Sequence, residues 1–415
     1  MKERVVVTGM GVVSPIGIGV DEFWTSVRAG KNGVAATTRF DPKDVLCKIA
    51  AEVKNYDPHQ WLDHRTVQRS AHFSQFAMIA AREAWGHAGL RNEMFDRNPS
   101  RAAIILGNGI GGLEADNDAQ RKLCEKGPSR IPAMTIPKII SNEAAGNVSM
   151  MLGIHGLCHT IVTACASGTD AIGYAMNTIR QGFADVVIAG GTEAAITEYS
   201  IGGFCAIKAL STGFNDTPER ASRPFDKNRD GFVMGEGAGI LILESLSHAR
   251  ARNAKIYAEM VGFSATSDAY HLTAPDPEGS GATRAMIAAL GDAGLQPEEI
   301  DYINAHGTST PTNDPVETLA IKNAFGKHAY NLKVSSTKGM TGHCIGAAGG
   351  IEAVITAKAL EDGFYPATIN LEEPDPDCDL DYVPNFGKSG NIRAAISNSL
   401  GFGGHNSVIV IKKWE

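Results

Sequence analysis

No run of apolar residues in this 415-residue chain is long enough to cross a bilayer, which takes roughly 20 in succession. Cysteine is sparse and scattered. The seven residues, at positions 47, 124, 158, 165, 205, 344 and 378, form no C-x-x-C pair and no zinc-ligand spacing. An odd, dispersed set points to a reduced, cytoplasmic chain. No signal- or transit-like segment precedes the first strand-like run, Arg4–Thr8, which sets the same expectation. A net charge of −8 removes the overall basic face that general nucleic-acid binding needs, although a local basic patch stays open. No linker of disordered composition divides the chain.

What is present suits a large α/β unit. The hydrophobic fraction of 43% over 415 residues supports a sizeable core without a metal or disulfide staple. The 46 glycines gather at the ends of strand-like runs, where they suit tight turns and close backbone approach. Unbroken apolar runs at Arg4–Thr8, Ala102–Leu106, Val186–Ala189 and Ile240–Leu243 predict strands buried on both faces. Helical spacing is evident over Val20–Arg28 and Ser141–Leu152, and most strongly over Thr66–His87. Residues 113–138 are polar and predict an excursion over the surface.

Two glycine clusters look like dinucleotide fingerprints. Gly9-Met10-Gly11 lacks the third glycine, which is Ser14. Gly107-Asn108-Gly109-Ile110-Gly111-Gly112 satisfies G-x-G-x-x-G, but polar residues follow it where a packed helix is needed, so nucleotide binding is not expected.

The chain repeats itself. Ala84–Leu90 and Ala289–Leu295 both close a helix on Ala-Gly-Leu before a buried strand. A strand, Cys165, a helix and Gly182-Phe183 are echoed by strand Leu332–Ser335, the segment Gly342–Lys358 and Gly363-Phe364. This predicts two duplicated βα halves, residues 1–255 and 256–415, with largely parallel, helix-covered sheets whose chemistry collects at strand ends.

Three segments fall at equivalent strand ends. Thr163–Asp170 carries Cys165 between a β-branched run and a helix, where unpaired N–H groups and a helix dipole favour thiolate. One cysteine among seven is most often a small buried hydrophobe. Asn304–Thr310 and Lys338–His343 each set a histidine, His306 and His343, in a glycine- and threonine-rich turn. Lone histidines are usually structural; two in matching turns are harder to explain by packing. A fourth segment, Asn398–Asn406, turns between strands Arg393–Ser397 and Val408–Ile411, and its glycines free the backbone to present N–H groups.

These motifs, with Ser222–Asp226 and Asp230–Phe232, resemble in that order the elongating β-ketoacyl-acyl carrier protein synthases, from residue 4 to the C-terminus. The resemblance implies a five-layered α-β-α-β-α thiolase-type fold of two duplicated halves, as a homodimer. It implies that Cys165 accepts an acyl group from a carrier thioester, with the N–H groups of Cys165 and Phe402 as oxyanion hole. His306 and His343 would stabilise the enolate from decarboxylated malonyl-carrier, and Lys338 would supply charge beside Glu352. Thr308 and Thr310 would bond the carrier's phosphopantetheine arm. Phe402 would gate the pocket, and Ile110 and Phe204 would line the acyl tunnel. Arg65, Arg69 and Lys208 would receive the acidic acyl carrier protein. No metal, resident cofactor, nucleic acid or membrane is implied.

The alternatives within the superfamily leave marks of their own. A degradative thiolase needs a second cysteine in the C-terminal glycine loop, and Gly401–Asn406 has none; Cys378 lies in an acidic loop upstream. Initiating synthases use Cys-His-Asn, and a non-catalytic chain-length factor lacks the cysteine. A polyketide or specialised-lipid ketosynthase with the same three residues stays open. Cys344, beside His343, reads as a buried apolar thiol without a role.

Overall fold

The computed structural model describes residues 2–415. Ten main strands build it: β1 Val5–Ser14, β2 Ala102–Gly107, β3 Cys158–Ile161, β4 Val186–Glu193, β5 Gly237–Ser245, β6 Ala258–Ser267, β7 Tyr302–Asn304, β8 Lys333–Ser335, β9 Ala394–Gly401 and β10 His405–Lys413. The first five lie in the order β1-β5-β4-β2-β3 and the second five in the order β6-β10-β9-β7-β8, the same sequence advanced by five. Pair directions repeat too. β1–β5 and β5–β4 are antiparallel and β4–β2 and β2–β3 parallel, as are their counterparts β6–β10, β10–β9, β9–β7 and β7–β8. The two sets meet where Val5–Val7 pairs with Ala258–Met260.

Alternation along the strands makes the layers. Ile104, Leu106, Val186, Ile188, Ile240 and Ile242 face outward onto helix His72–His87, against Phe73, Phe76, Ala80 and Ala84. Their neighbours Ile105, Val187, Leu241 and Leu243 face inward onto two core helices, Ser167–Arg180 and Ala348–Asp362, which also receive Ile409 and Ile411 from the second set. Val408 and Val410 point to the far side, onto Ser280–Ala293 and Asn313–Phe325. Helix, sheet, helix pair, sheet and helix make the five layers of a thiolase-type fold. Both faces of each central strand are covered, which is why these strands are unbroken apolar runs. The core helices touch at glycines: a Cβ on Gly168 would stand 2.8 Å from Gly350 N, so only glycine lets the two N-terminal ends, and the site above them, come this close.

Four expectations need correction. The sheets are mixed, not largely parallel: five main-strand pairs are antiparallel and four parallel, because β1–β5–β4 and β6–β10–β9 run back and forth, which needs no crossover helix. Thr66–His87 is two helices, His64–Arg69 and His72–His87. Ser70 is extended, and its Oγ donates to Thr66 O at 2.7 Å, the local side-chain bond by which serine competes with a helix; the N–H of His72 donates to Glu114 Oε1 at 2.7 Å. Residues 113–138 stay on the surface but fold as helices Leu113–Lys126, with Ala119 alone buried, and Thr135–Ile139. Acidic residues in the first turn and lysine in the last support the longer one without an apolar stripe. The segment Gly342–Lys358 is a turn followed by a helix that starts only at Ala348 and runs to Asp362.

Candidate active site

Cys165 sits in a tight elbow between β3 and the first core helix. Ala164 takes φ 51°, a left-handed conformation costly for a residue with a Cβ, and a 3-10 turn Ala164–Ala166 leads into the helix at Ser167. Side chains brace the bend. Thr163 N–H donates to Ser167 Oγ at 2.9 Å, Ser167 Oγ donates to Ala164 O at 2.6 Å, and Thr163 Oγ1 donates to Asp170 Oδ2 at 2.6 Å. The thiol is half-buried, and the backbone N–H of Phe402 faces it. Burial pushes the thiol up to about 12, against the pull of Lys338 and of that N–H. The expectation of a resting thiolate is therefore corrected: desolvation outweighs the pull of Lys338 and of the Phe402 N–H, and Cys165 rests as a thiol.

The two histidines come from the other half of the chain. His306 follows β7, in a loop held by carboxylates: the N–H groups of His306 and Gly307 donate to Glu317 Oε1 and Oε2, each at 2.8 Å. Ser309 N–H donates to Asp314 Oδ1 at 3.2 Å, and Ser336 Oγ donates to Gly307 O at 2.6 Å. His343 is pinned through its backbone: its N–H donates to Val233 O at 2.7 Å and its carbonyl accepts from Gly235 N–H at 2.9 Å. The imidazoles stand nearly perpendicular at 88°, with centroids 5.2 Å apart. Burial, and then the charge of Lys338, holds both well below the ordinary histidine value. Both rings are neutral at neutral pH, so each offers an N–H without a charge.

Lys338, 1% exposed, lies beneath them. Its Nζ donates to His306 O at 2.6 Å and to Glu352 Oε1. Burial pushes the Glu352 carboxyl up to about 7, with Lys338 pulling it down. Lysine thus locks one histidine loop by a backbone bond, and its charge adds to burial in keeping both rings neutral.

Cys165, His306, His343, Thr308, Thr310, Ile110, Phe204, Lys208 and Phe402 line one cavity of about 480 Å³. Thr308 Oγ1 and Thr310 Oγ1 lie 3.0 Å apart on its wall. An apolar groove of about 770 Å³ adjoins it and shares Ile110, Phe204, Ile207 and Phe402. Lys208 is exposed at the mouth; Arg65 and Arg69 are exposed on helix His64–Arg69 and do not line the cavity. The carboxylates Glu193, Asp314 and Glu317 were not singled out by the sequence. Glu193 carried one usable signal, an acid closing an apolar strand at the end where chemistry collects; Glu317 had none.

The glycines of Gly107–Gly112 are accounted for without a nucleotide. The N–H of Gly109 donates to Glu193 Oε2 at 2.8 Å, so a protein carboxylate occupies the place a phosphate would take. A helix does follow this turn, but a surface one.

Two duplicated halves, one offering a cysteine elbow and the other two histidine loops, define a thiolase-type condensing enzyme. The chain belongs to the beta-ketoacyl synthase family: that family's N-terminal domain matches residues 2–249 and its C-terminal domain residues 257–372. It is 52% identical over 415 residues to 3-oxoacyl-[acyl-carrier-protein] synthase 2 of Synechocystis sp., covering 100% of this chain and 99% of that one. It is 51% identical over 412 residues to the protein of the same name from Coxiella burnetii, covering 99% of each. Among solved structures it resembles the ishigamide ketosynthase/chain length factor, with TM-score 0.93, 36% identity and 100% of both chains covered. It also resembles a chain from a type II PKS acyl-carrier protein in complex with its ketosynthase bound to the hexaketide, with TM-score 0.91, 38% identity and 100% of both chains covered.

Proposed function

We propose that this chain is a β-ketoacyl-[acyl-carrier-protein] synthase of type II that elongates fatty acyl chains by two carbons. The carrying observation is the convergence of Cys165, two neutral histidines and the Phe402 N–H on one cavity over the Lys338–Glu352 pair. The whole-chain relatives at 51–52% identity favour fatty-acid elongation over polyketide synthesis, whose solved ketosynthases stand at 36–38%.

The thiol of Cys165 gives up its proton as sulfur attacks the carrier thioester. The N–H groups of Cys165 and Phe402 hold the oxyanion, and the carrier's pantetheine thiol leaves with the proton. Malonyl-carrier then enters along Thr308 and Thr310. Its carboxylate leaves as carbon dioxide, and the electron pair passes into an enolate whose oxygen accepts from His306 and His343. Neutral imidazoles suit this step, because a charged ring would trap the enolate by protonation. The enolate carbon attacks the acyl-Cys165 carbonyl, the carbon–sulfur bond breaks, and the Cys165 thiolate that leaves takes up a proton from solvent. The reaction balances without a metal or redox cofactor; the phosphopantetheine arrives on the carrier.

The acyl chain lies along Ile110 and Phe204 into the apolar groove, with Phe402 as its gate. Arg65, Arg69 and Lys208 steer the acidic carrier protein. The two halves divide at residues 255 and 256, a reading supported by the repeated strand order. The chain pairs as a homodimer; β3 is a free sheet edge flanked by exposed Leu157 and Val162, which a second copy would cover. Among the described residues no helix is long and apolar enough to cross a membrane, in keeping with a cytoplasmic enzyme. Incubation with acyl-carrier and malonyl-carrier, followed by mass analysis of the carrier, tests the reading; a carrier bearing no β-ketoacyl product would sink it.

A further inference from the structure

Glu193 closes β4 at a point where the proposed chemistry has no use for it. Its side chain is fully buried, and every polar neighbour is a donor. Oε2 accepts from Gly109 N–H at 2.8 Å and Gly346 N–H at 3.2 Å, and Oε1 accepts from Asn108 Nδ2 at 3.1 Å. The Ile110 N–H faces it as well. Among the described residues no lysine, arginine or histidine pairs with it; burial pushes the carboxyl up to about 7, and four N–H groups alone pull it back towards the carboxylate. The fit is close: a Cβ on Gly109 would stand 2.8 Å from Oε2, and one on Gly346 would stand 2.3 Å from Gly109 N.

Both turns it joins line the cavity that holds Cys165. One carries Ile110, at the junction of the catalytic cavity and the apolar groove; the other begins with Ile345, which lies against Gly109. His343 does not depend on this clamp, because its own backbone bonds to Val233 and Gly235 hold it.

We infer that Glu193 is a specificity-determining positioning residue: its carboxylate fastens the Asn108–Ile110 turn to the Gly346 turn and so fixes Ile110 where a long acyl chain must pass from Cys165 into the groove. The inference rests on the acyl-transfer reading above. Short chains end before this junction and long ones cross it, so chain length is the variable the clamp controls.

Glu193→Gln keeps the shape but replaces one acceptor oxygen by an NH2 group that faces N–H donors, so part of the clamp on the Ile110 turn is lost. The ratio of kcat/KM for a palmitoyl-carrier to that for a hexanoyl-carrier falls roughly tenfold, the scale at which pocket shape discriminates chain length. Glu193→Asp, which keeps the charge but is one methylene too short to reach both turns, shifts the ratio in the same direction and serves if the glutamine variant does not fold. Adding Ile110→Ala restores the ratio, because the misplaced wall is gone. Equal losses for both chain lengths at an unchanged thermal midpoint, or a ratio that Ile110→Ala leaves unrestored, would overturn the inference. Wild type that transferred neither chain would instead sink the acyl-transfer reading itself.

Discussion

Replacing Lys338 by methionine keeps the volume and removes the charge under the two histidines. The ammonium is 1% exposed and bonds His306 O at 2.6 Å as well as Glu352. Breaking a buried ion pair from one side costs about 3–5 kcal/mol when the other charge is stranded. Here the stranded group can escape. The Glu352 carboxyl already stands at about 7 with lysine present, and loss of lysine moves it higher. At neutral pH the variant therefore takes up a proton, and the loss is set by the two charge-assisted hydrogen bonds, about 1.5–3 kcal/mol each, and not by a stranded charge. The pH dependence follows from the raised carboxyl. Its stabilising share is complete below the unfolded value of 4.5 and is lost as pH rises towards the folded value. Up to about pH 7 both proteins lose it in parallel. Above that the wild-type carboxyl ionises against Lys338 and levels off, while the variant goes on losing about 1.4 kcal/mol per pH unit. The gap should widen from about pH 6 to about pH 8. Glu352→Gln in the same variant abolishes the widening, because an amide does not ionise. Denaturant unfolding by near-ultraviolet circular dichroism, at fixed protein concentration, reads the gap. A gap equal at both pH values, or below about 1 kcal/mol throughout, would refute the argument.

Cys165→Ala removes the proposed acyl acceptor and should abolish condensation while malonyl decarboxylation persists; β-ketoacyl product from that variant, by carrier mass, would contradict the role given to the thiol. His343→Ala should slow malonyl decarboxylation by about a hundredfold, the usual cost of a lost oxyanion donor, measured as carbon dioxide release. In the wild type both imidazoles are held well below 6.5, so decarboxylation should cross that pH without a histidine inflection; an acid limb near 6.5 would show that a ring titrates normally. Arg69→Glu should raise KM for the carrier at low salt and lose that effect at high salt, as expected of an exposed steering charge; an unchanged KM at low salt would remove Arg69 from the docking surface.

The parts of the site legible in the sequence are those tied to strand ends. Cys165, His306 and His343 each follow an apolar run by a few residues, and a run of that kind reports where a strand stops. Lys338 and Glu352 share one segment, so their pairing across 14 residues was accessible. The carboxylates that hold the loops were not. Glu193 reaches Asn108 across 85 residues and Asn398 reaches Glu317 across 81, and periodicity says nothing about separations of that size. The repeat of Ala-Gly-Leu helix ends revealed two halves, whereas the pairing of β1 with β6 that joins them depends on which edges remain free. Thr66–His87 reads as one helix because apolar spacing continues through Ser70, while the side-chain bond to Thr66 does not show in a pattern. The resting state of Cys165 reads as thiolate for a related reason: a helix end is visible in sequence, and the depth of desolvation is not.

The duplication also explains why one scaffold yields one nucleophile. Ala164 and Ile345 occupy matching places, each left-handed, at φ 51° and 46°, and each opens a 3-10 turn that enters a core helix. Counting onward from each, Cys165 in the first half answers to Gly346 in the second. The first elbow lifts a thiol into the cavity. The second cannot carry any side chain, because a Cβ at 346 would collide with Gly109 N at 2.3 Å. What it offers is a bare N–H, which Glu193 from the first half accepts. The cavity takes its histidine from three residues earlier instead, on the turn that Val233 and Gly235 hold. Each half thus completes the other: the second sets two histidines in the cavity that holds the thiol of the first, and the first supplies the carboxyl group that fixes the elbow of the second. A substitution at Gly346 would therefore disturb the acyl side of the pocket before it disturbed the histidines, although it lies three residues from one of them.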